Sequence, residues 1–130
     1  MVFNMDSLIQ KALEARKKSY SPYSKFAVGA ALEAEDGTVF AGCNVENASY
    51  GLTLCAERVA LVNAISHGAK KFKRLAVVAD YAQPVPLCGM CRQMLIEFAP
   101  DLELILANTK GESSNTTLAQ LLPNAFRLNR

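Results

Sequence analysis

Two apolar runs separated by a helical pattern constrain the fold of this chain more than any other feature. Residues 75–79 are wholly apolar, and residues 102–107 contain a single charged side chain. Such runs are typical of strands that are covered on both faces of a sheet. Residues 88–98 fit a helix that ends before Pro100. A strand, a helix and a strand in this order favour parallel pairing with a right-handed crossover.

The first half of the chain predicts a helix, a hairpin and a second helix. Residues 7–18 place apolar side chains on one helical face. Strands at 27–34 and 38–45 flank an Asp36-Gly37 turn, and Gly29 indicates a close backbone approach. Residues 54–67 are apolar on most sides, as expected of a buried helix.

The remaining segments complete an α/β prediction. An edge strand is expected near 112–116 and a short helix between Thr117 and Pro123, whereas the basic residues at 70–74 suggest a solvated turn. We therefore expect residues 1–130 to form one domain with a three-layer α/β/α fold. Its mixed sheet should have about five strands, with an antiparallel first hairpin.

Charge and hydropathy exclude several classes of protein. The formal net charge of +2 is too small to predict binding to nucleic acid. No segment reaches the roughly 18 apolar residues of a membrane span. Residues 1–6 lack the charged and apolar regions of a signal peptide. These features predict a cytoplasmic protein that engages neither nucleic acid nor membrane.

Three of the four cysteines suggest a metal centre. Cys88 and Cys91 form a Cys-x-x-Cys pair, and Cys55 precedes Glu57 by two residues. Thiols stay reduced in the cytosol, so metal binding or catalysis is expected before disulfides. Three thiolates can hold zinc and leave one position open for water. Glu57, which is not needed as a ligand, could then move the proton of that water.

Two other interpretations of the cysteines stay open. Cys43 could be a fourth ligand, which would close the site and make the protein a non-catalytic, zinc-stabilised binding module. A free cysteine in an apolar strand more often acts as a small hydrophobe. Cys88 and Cys91 could instead form a redox pair, although a third thiol followed by Glu57 fits that function poorly.

The chain resembles the small, homotetrameric, zinc-dependent cytidine deaminases over nearly its whole length. The order Cys-x-Glu followed at a distance by Pro-x-Cys-x-x-Cys matches the pattern of zinc-dependent nucleobase deaminases. The matching segments are 26–32, 44–48, 55–58, 88–93 and 121–126. The resemblance implies hydrolysis of cytidine and deoxycytidine to uridine and deoxyuridine with release of ammonia, as in pyrimidine salvage. It also implies one zinc ion per subunit and a homotetramer with shared active sites.

The resemblance also implies roles for individual residues. Glu57 would carry protons between water and the pyrimidine, and Arg58 would hydrogen-bond the ligand sulfurs. Asn44 and Glu46 would contact the 3′-hydroxyl of the sugar. The backbone amide of Ala56 would hold the pyrimidine carbonyl oxygen.

Aromatic residues are expected around the nucleoside. Phe26 would lie beside it, Phe126 would come from a neighbouring subunit, and Tyr50 would lie near the subunit boundary.

One segment departs from the family pattern. The family usually has Ser-Pro-Cys where this chain has Pro86-Leu87-Cys88. Because this loop faces the leaving amino group, we expect an altered leaving-group pocket and retained zinc binding. A related deaminase that acts on a modified cytosine nucleoside is the enzymatic alternative, although residues 44–47 favour plain nucleosides.

Overall fold

A mixed sheet of five strands organises the chain in the computed structural model, which describes residues 6–128. The strands are β1 (Val28–Ala34), β2 (Val39–Cys43), β3 (Phe72–Ala79), β4 (Glu103–Asn108) and β5 (Ser113–Thr117). Their order across the sheet is β2-β1-β3-β4-β5. Only β3 and β4 pair in parallel, and the other neighbours are antiparallel. The predicted mixed sheet with an antiparallel first hairpin is confirmed.

Residues 6–128 also form four α-helices, of which the second and third connect strands. They are α1 (Ser7–Arg16), α2 (Ala56–Ser66), α3 (Gly89–Phe98) and α4 (Leu118–Leu121). The side chain of Asp6 caps α1 by accepting from the Leu8 amide at 2.8 Å. Thr117 begins α4 with a capping box shared with Gln120. A short 3-10 helix at Tyr50–Leu52 was not predicted.

The helices form two layers, which confirms the α/β/α prediction. The larger core packs α2 and α3 against one sheet face, with fully buried Leu61 and Leu95 among its members. The smaller core packs Leu8 and Ala12 of α1 against the opposite face. Each face of the sheet therefore buries apolar side chains, as the continuous apolar runs predicted.

Two glycines allow the helices to approach the sheet closely. A Cβ atom on Gly29 would lie 1.9 Å from the carbonyl oxygen of Ala12 in α1. One on Gly42 would lie 2.4 Å from the backbone nitrogen of Ala60 in α2. The absence of a side chain at Gly42 thus sets the distance between β2 and α2.

The expectation of a solvated turn at residues 70–74 is wrong in part, because β3 begins at Phe72. Arg74 donates to Glu33 of β1 and to Asp6 ahead of α1, each at 2.9 Å. These ion pairs let a charged residue occupy a strand that is otherwise apolar. Residues 1–5, which entered the localisation prediction, lie outside the described range. Between residues 6 and 128, no helix has the length and hydropathy needed to span a membrane.

Candidate metal centre and adjoining cleft

The first turns of α2 and α3 bring three thiols together. Cys55 is the N-cap of α2, Cys88 is the N-cap of α3, and Cys91 lies in the first turn of α3. Their Sγ atoms all lie within 4.8 Å of one another. The Sγ atoms of Cys55 and Cys88 are 3.8 Å apart, and those of Cys88 and Cys91 are 3.1 Å apart.

This arrangement fits a zinc ion. Sulfur ligands about 2.3 Å from a tetrahedral ion lie roughly 3.8 Å from one another. Both helix N-termini also place partial positive charge beside the sulfurs, which favours thiolates. Cys43 is not part of the cluster, and it lines a separate cavity with residues of α1 such as Lys11 and Glu14. A site with four sulfur ligands is therefore not formed among residues 6–128.

The pKa values of Cys55 and Cys91 are shifted in opposite directions. A hydrogen bond from the Cys91 thiol, assisted by Arg58, lowers the pKa of Cys55 to about 5. The same hydrogen bond, together with burial, raises the pKa of Cys91. Zinc binding must therefore release a proton from the cluster, as is usual for cysteine ligands.

Arg58 is the cation next to these sulfurs. Its Nη2 atom donates to the carbonyl oxygen of Thr53 at 2.9 Å and lies 3.8 Å from the Sγ atom of Cys55. Its Nε atom is buried and has no hydrogen-bond partner within the described chain. A positive charge held here offsets part of the negative charge of three thiolates.

Glu57 is a buried carboxyl group beside the thiols. It lies in the first turn of α2 and is only 6% exposed. Burial, supported by the negative charge of Cys55, raises the pKa of Glu57 to about 7. A carboxyl group with a pKa near neutrality can both accept and donate a proton at physiological pH.

A cleft of about 220 Å³ opens next to the cluster. Its walls are largely apolar and include Val28, Val77 and Ala107. Predicted site residues also line it, namely Phe26, Asn44, Glu46, Cys55, Ala56, Glu57 and Cys88. The fold therefore brings most of the predicted site together at one end of the sheet.

Asn44 and Glu46 are held by hydrogen bonds within the chain. The Oδ1 atom of Asn44 accepts from the Val28 amide at 2.9 Å and from the Ser19 hydroxyl. Its Nδ2 atom donates to the Phe26 carbonyl oxygen at 2.8 Å. This pattern fixes the orientation of the amide and leaves one N–H of Nδ2 without an acceptor among residues 6–128.

The carboxylate of Glu46 accepts hydrogen bonds from the turn that contains Tyr23 and Ser24. Its Oε1 atom accepts from the backbone amides of Tyr23 and Ser24 at 3.0 and 3.1 Å. Its Oε2 atom accepts from the Ser24 hydroxyl. The Ser24 hydroxyl is the main cause that lowers the pKa of Glu46, so this carboxylate is ionised at neutral pH.

Two of the predicted aromatic residues, Phe126 and Tyr50, lie outside the cleft. Phe126 is 70% exposed, and its carbonyl oxygen accepts from Nε2 of Gln93 at 3.0 Å. Tyr50 is 77% exposed and lines a neighbouring cavity of about 340 Å³ with Tyr23 and Glu46. Within one chain, neither aromatic ring contributes to the walls of the cleft.

The loop that departs from the family pattern is anchored in two ways. The Leu87 side chain is 2% exposed and belongs to the larger core. The backbone carbonyl oxygen of Leu87 accepts from Nε of Arg92 at 2.8 Å. Nη1 of Arg92 also donates to the Leu121 carbonyl oxygen at 2.8 Å. Val85 and Pro86, not Leu87, line the cleft.

Sequence reasoning did not find Ser19 or Ser24, nor the contacts by which Arg92 anchors this loop. These three residues contact site residues that are distant in the sequence or contact only backbone atoms, so no spacing pattern identifies them. Another cavity, of about 440 Å³, lies against the other sheet face near Asp6 and Arg74. Among the described residues that line it, none belongs to the predicted site.

Comparisons with known proteins agree with this geometry. Residues 4–106 match the model of the cytidine and deoxycytidylate deaminase zinc-binding region. A cytidine deaminase from Sporosarcina psychrophila is 52% identical over 95% of this chain and 91% of its own length. One from Halalkalibacterium halodurans is 52% identical over 92% of this chain and 91% of its own length.

A solved structure adds agreement in three dimensions. The crystal structure of cytidine deaminase from Burkholderia pseudomallei matches with a TM-score of 0.90 and 51% identity. The match covers 92% of this chain and 97% of that one. With its thiol cluster at the family's zinc-binding region, this chain belongs to the cytidine and deoxycytidylate deaminase family.

Proposed function

We propose that this protein hydrolyses cytidine and deoxycytidine to uridine and deoxyuridine and releases ammonia. The observation that carries the proposal is the buried Glu57, whose pKa is raised to about 7 beside three clustered thiols. The relatives that are named cytidine deaminases, at 52% identity, support the same substrate.

The residues of the cleft have different roles in the proposed reaction. Cys55, Cys88 and Cys91 would hold a zinc ion, which when bound would supply Lewis acidity that lowers the pKa of water towards neutrality. Glu57 takes a proton from the attacking water and delivers it to ring nitrogen N3. The water oxygen bonds to C4. Glu57 then takes the proton of the new C4 hydroxyl and gives it to the amino group, and the C4–N bond breaks to leave a carbonyl group and ammonia. A positioned acid–base group of this kind contributes roughly 10²–10⁴-fold in rate.

Backbone and charged groups hold the reactants. Ala56 is the first residue of α2, so its N–H has no acceptor within the helix and can donate to the pyrimidine carbonyl oxygen. Arg58 adds to the hydrogen bond from Cys91 in favouring the thiolate form of Cys55, since its Nη2 atom lies 3.8 Å from that sulfur. Val85 and Pro86 line the cleft, and we assign their backbone carbonyl groups as acceptors for the amino group.

The sugar site suits a hydroxyl group. Asn44 has one unused N–H, and Oε2 of Glu46 has accepted a single hydrogen bond. Together they offer one donor and one acceptor, which matches a hydroxyl that both accepts and donates. We assign this pair to the 3′-hydroxyl.

Electrostatics favour a nucleoside over a nucleotide. The cleft is lined by two carboxyl groups, Glu46 and Glu57, and no lysine or arginine is among its described lining residues. A phosphate group would lack a cation to pair with and would be repelled by Glu46. The substrate is therefore cytidine in preference to its monophosphate.

We further propose that the protein acts as a cytoplasmic homotetramer with shared active sites. Several large apolar side chains are exposed, including Tyr50, Leu52, Phe126 and Leu128. Exposed apolar groups of this size favour burial at an interface. Phe126 of one subunit would then cover the nucleoside in another. A reducing compartment keeps the three thiols available for metal.

A substrate panel tests this proposal. Ammonia release should be measured with cytidine, deoxycytidine, cytidine monophosphate and adenosine. We expect turnover of the first two alone. Glu57→Gln should retain zinc and lose about 10²–10⁴-fold in turnover. Turnover of the monophosphate in preference to cytidine, or a Glu57→Gln variant with an unchanged rate, would contradict the proposal.

A further inference from the structure

We infer that Ser24 is a positioning residue for sugar recognition, because its hydroxyl fixes the carboxylate of Glu46 where a 3′-hydroxyl binds. The inference rests on the proposed function and adds a residue to it. Ser24 lines both the cleft and the neighbouring cavity, so it lies where these two spaces meet Glu46.

The turn that contains Ser24 is built to receive a carboxylate. The backbone N–H of Lys25 closes the turn by donating a hydrogen bond to the Ser21 carbonyl oxygen at 3.0 Å. The φ angle of Lys25, 58°, lies in the left-handed region. This conformation directs the amides of Tyr23 and Ser24 towards the same oxygen, Oε1 of Glu46. Consecutive amides that point at one anion form a nest.

The direction of the Ser24 hydroxyl follows from its partners. The Phe26 amide, which can only donate, lies 3.0 Å from Oγ of Ser24. Glu46, as a carboxylate, can only accept. The hydroxyl proton therefore points at Oε2 of Glu46. One side chain thus connects Phe26, at the wall of the cleft, with the carboxylate that is assigned to the sugar.

Loss of this hydroxyl would affect Oε2 specifically. The Oε1 atom would keep two amide donors, whereas Oε2 would lose the one hydrogen bond that it has. The carboxylate could then rotate, and its free acceptor position would no longer be held towards the cleft. Ser24 is exposed, so its replacement removes little packing.

The test compares Ser24→Ala with wild type on cytidine and on 2′,3′-dideoxycytidine. For cytidine we expect KM to rise about tenfold, as for loss of a hydrogen bond to a charged group, with kcat within about twofold. For the dideoxynucleoside, kcat/KM should change less than about twofold. In a Glu46→Gln background, Ser24→Ala should have little further effect, because the two residues act as a unit.

Thr38→Val is the matched control. Thr38 donates its amide to Asp36 at 2.9 Å in the β1–β2 turn, and its hydroxyl also hydrogen-bonds that carboxylate. This variant should leave both substrates unaffected. Equal losses by Ser24→Ala on both substrates, or no loss on either, would overturn the inference.

The same assay separates the inference from the proposed function. If the wild type releases no ammonia from cytidine, the proposed function fails. If the wild type turns over both nucleosides equally well, Glu46 does not recognise a sugar hydroxyl, and the inference falls while deamination stands.

Discussion

Substitution of Gly42 by alanine should displace the metal centre without touching it. Gly42 in β2 faces the first turns of α2, where an added Cβ would lie 2.4 Å from the Ala60 nitrogen and 2.6 Å from the Ala56 carbonyl oxygen. Ordinary contact begins near 3.4 Å. The backbone of α2 must therefore move away from β2 by about 1 Å, a value that follows from these distances and the close packing of interiors.

The size of the effect follows from this displacement. Overpacking of this kind costs about 1–3 kcal/mol, which leaves a protein of ordinary stability folded. The N-terminus of α2 carries Cys55, Ala56 and Glu57, so the same shift misplaces a proposed metal ligand and the proposed acid. Misplacement by about 1 Å can reduce turnover roughly 10²-fold. We expect Gly42→Ala to lose about that much in kcat/KM for cytidine and to bind zinc more weakly.

Gly29→Ala provides the control. Its Cβ would lie 1.9 Å from the Ala12 carbonyl oxygen, so the steric conflict is more severe, but it pushes on α1, which carries no predicted ligand. Urea denaturation gives the stability of each variant, and competition with a chromophoric chelator gives its zinc affinity. We expect Gly29→Ala to lose more stability and Gly42→Ala to lose more zinc affinity. Equal zinc affinities in the two variants would refute the reasoning.

Three further outcomes are expected. Cys43→Ala should keep its zinc after dialysis, whereas Cys91→Ala should lose it; metal analysis that gives the reverse would favour a structural site. Contacts with the Leu8 amide and Arg74 hold the pKa of Asp6 below its usual 3.8. Ionised Asp6 therefore stabilises the fold above pH 3.8. The free energy of unfolding of the wild type should exceed that of Asp6→Asn by under about 1 kcal/mol, and this difference should vanish as the pH falls through the lowered pKa. Leu87→Ala should cost about 2–5 kcal/mol in urea denaturation, since the side chain is 2% exposed; a cost below about 0.5 kcal/mol would contradict its place in the core.

Periodicity predicted the elements that bury one regular face. The order of α3 and β4 was correct because their apolar residues follow the helix and strand repeats. The start of β3 was missed because Lys73 and Arg74 look like a turn in the sequence. In the structure Lys73 is exposed, and Arg74 is neutralised by Asp6 and Glu33, which come from elsewhere in the chain. The helix predicted from residue 54 begins at Ala56, because Leu54 pairs with Val45 in a short bridge.

The three ligand cysteines and Glu57 could be proposed from spacing because metal chemistry restricts which residue types are useful. The supporting residues could not. Ser24 is one serine among many in the sequence, and its importance arises only when a turn at 21–25 meets the end of β2. Likewise, Arg92 donates to two backbone carbonyl groups. Every residue has a carbonyl group, so the residue types do not show which ones accept from Arg92.

The sequence by itself therefore determined the layers of the fold and the candidate zinc site and led to the proposal of Glu57 as the acid. Hydrophobic repeats and the types of ligand residue are properties of the chain alone. Only the tertiary structure decided that Cys43 is separate from the other thiols, that burial raises the pKa of Glu57, and that Ser24 holds Glu46. These properties depend on distances across the fold, where helix packing against the sheet sets both solvent exposure and hydrogen-bond partners.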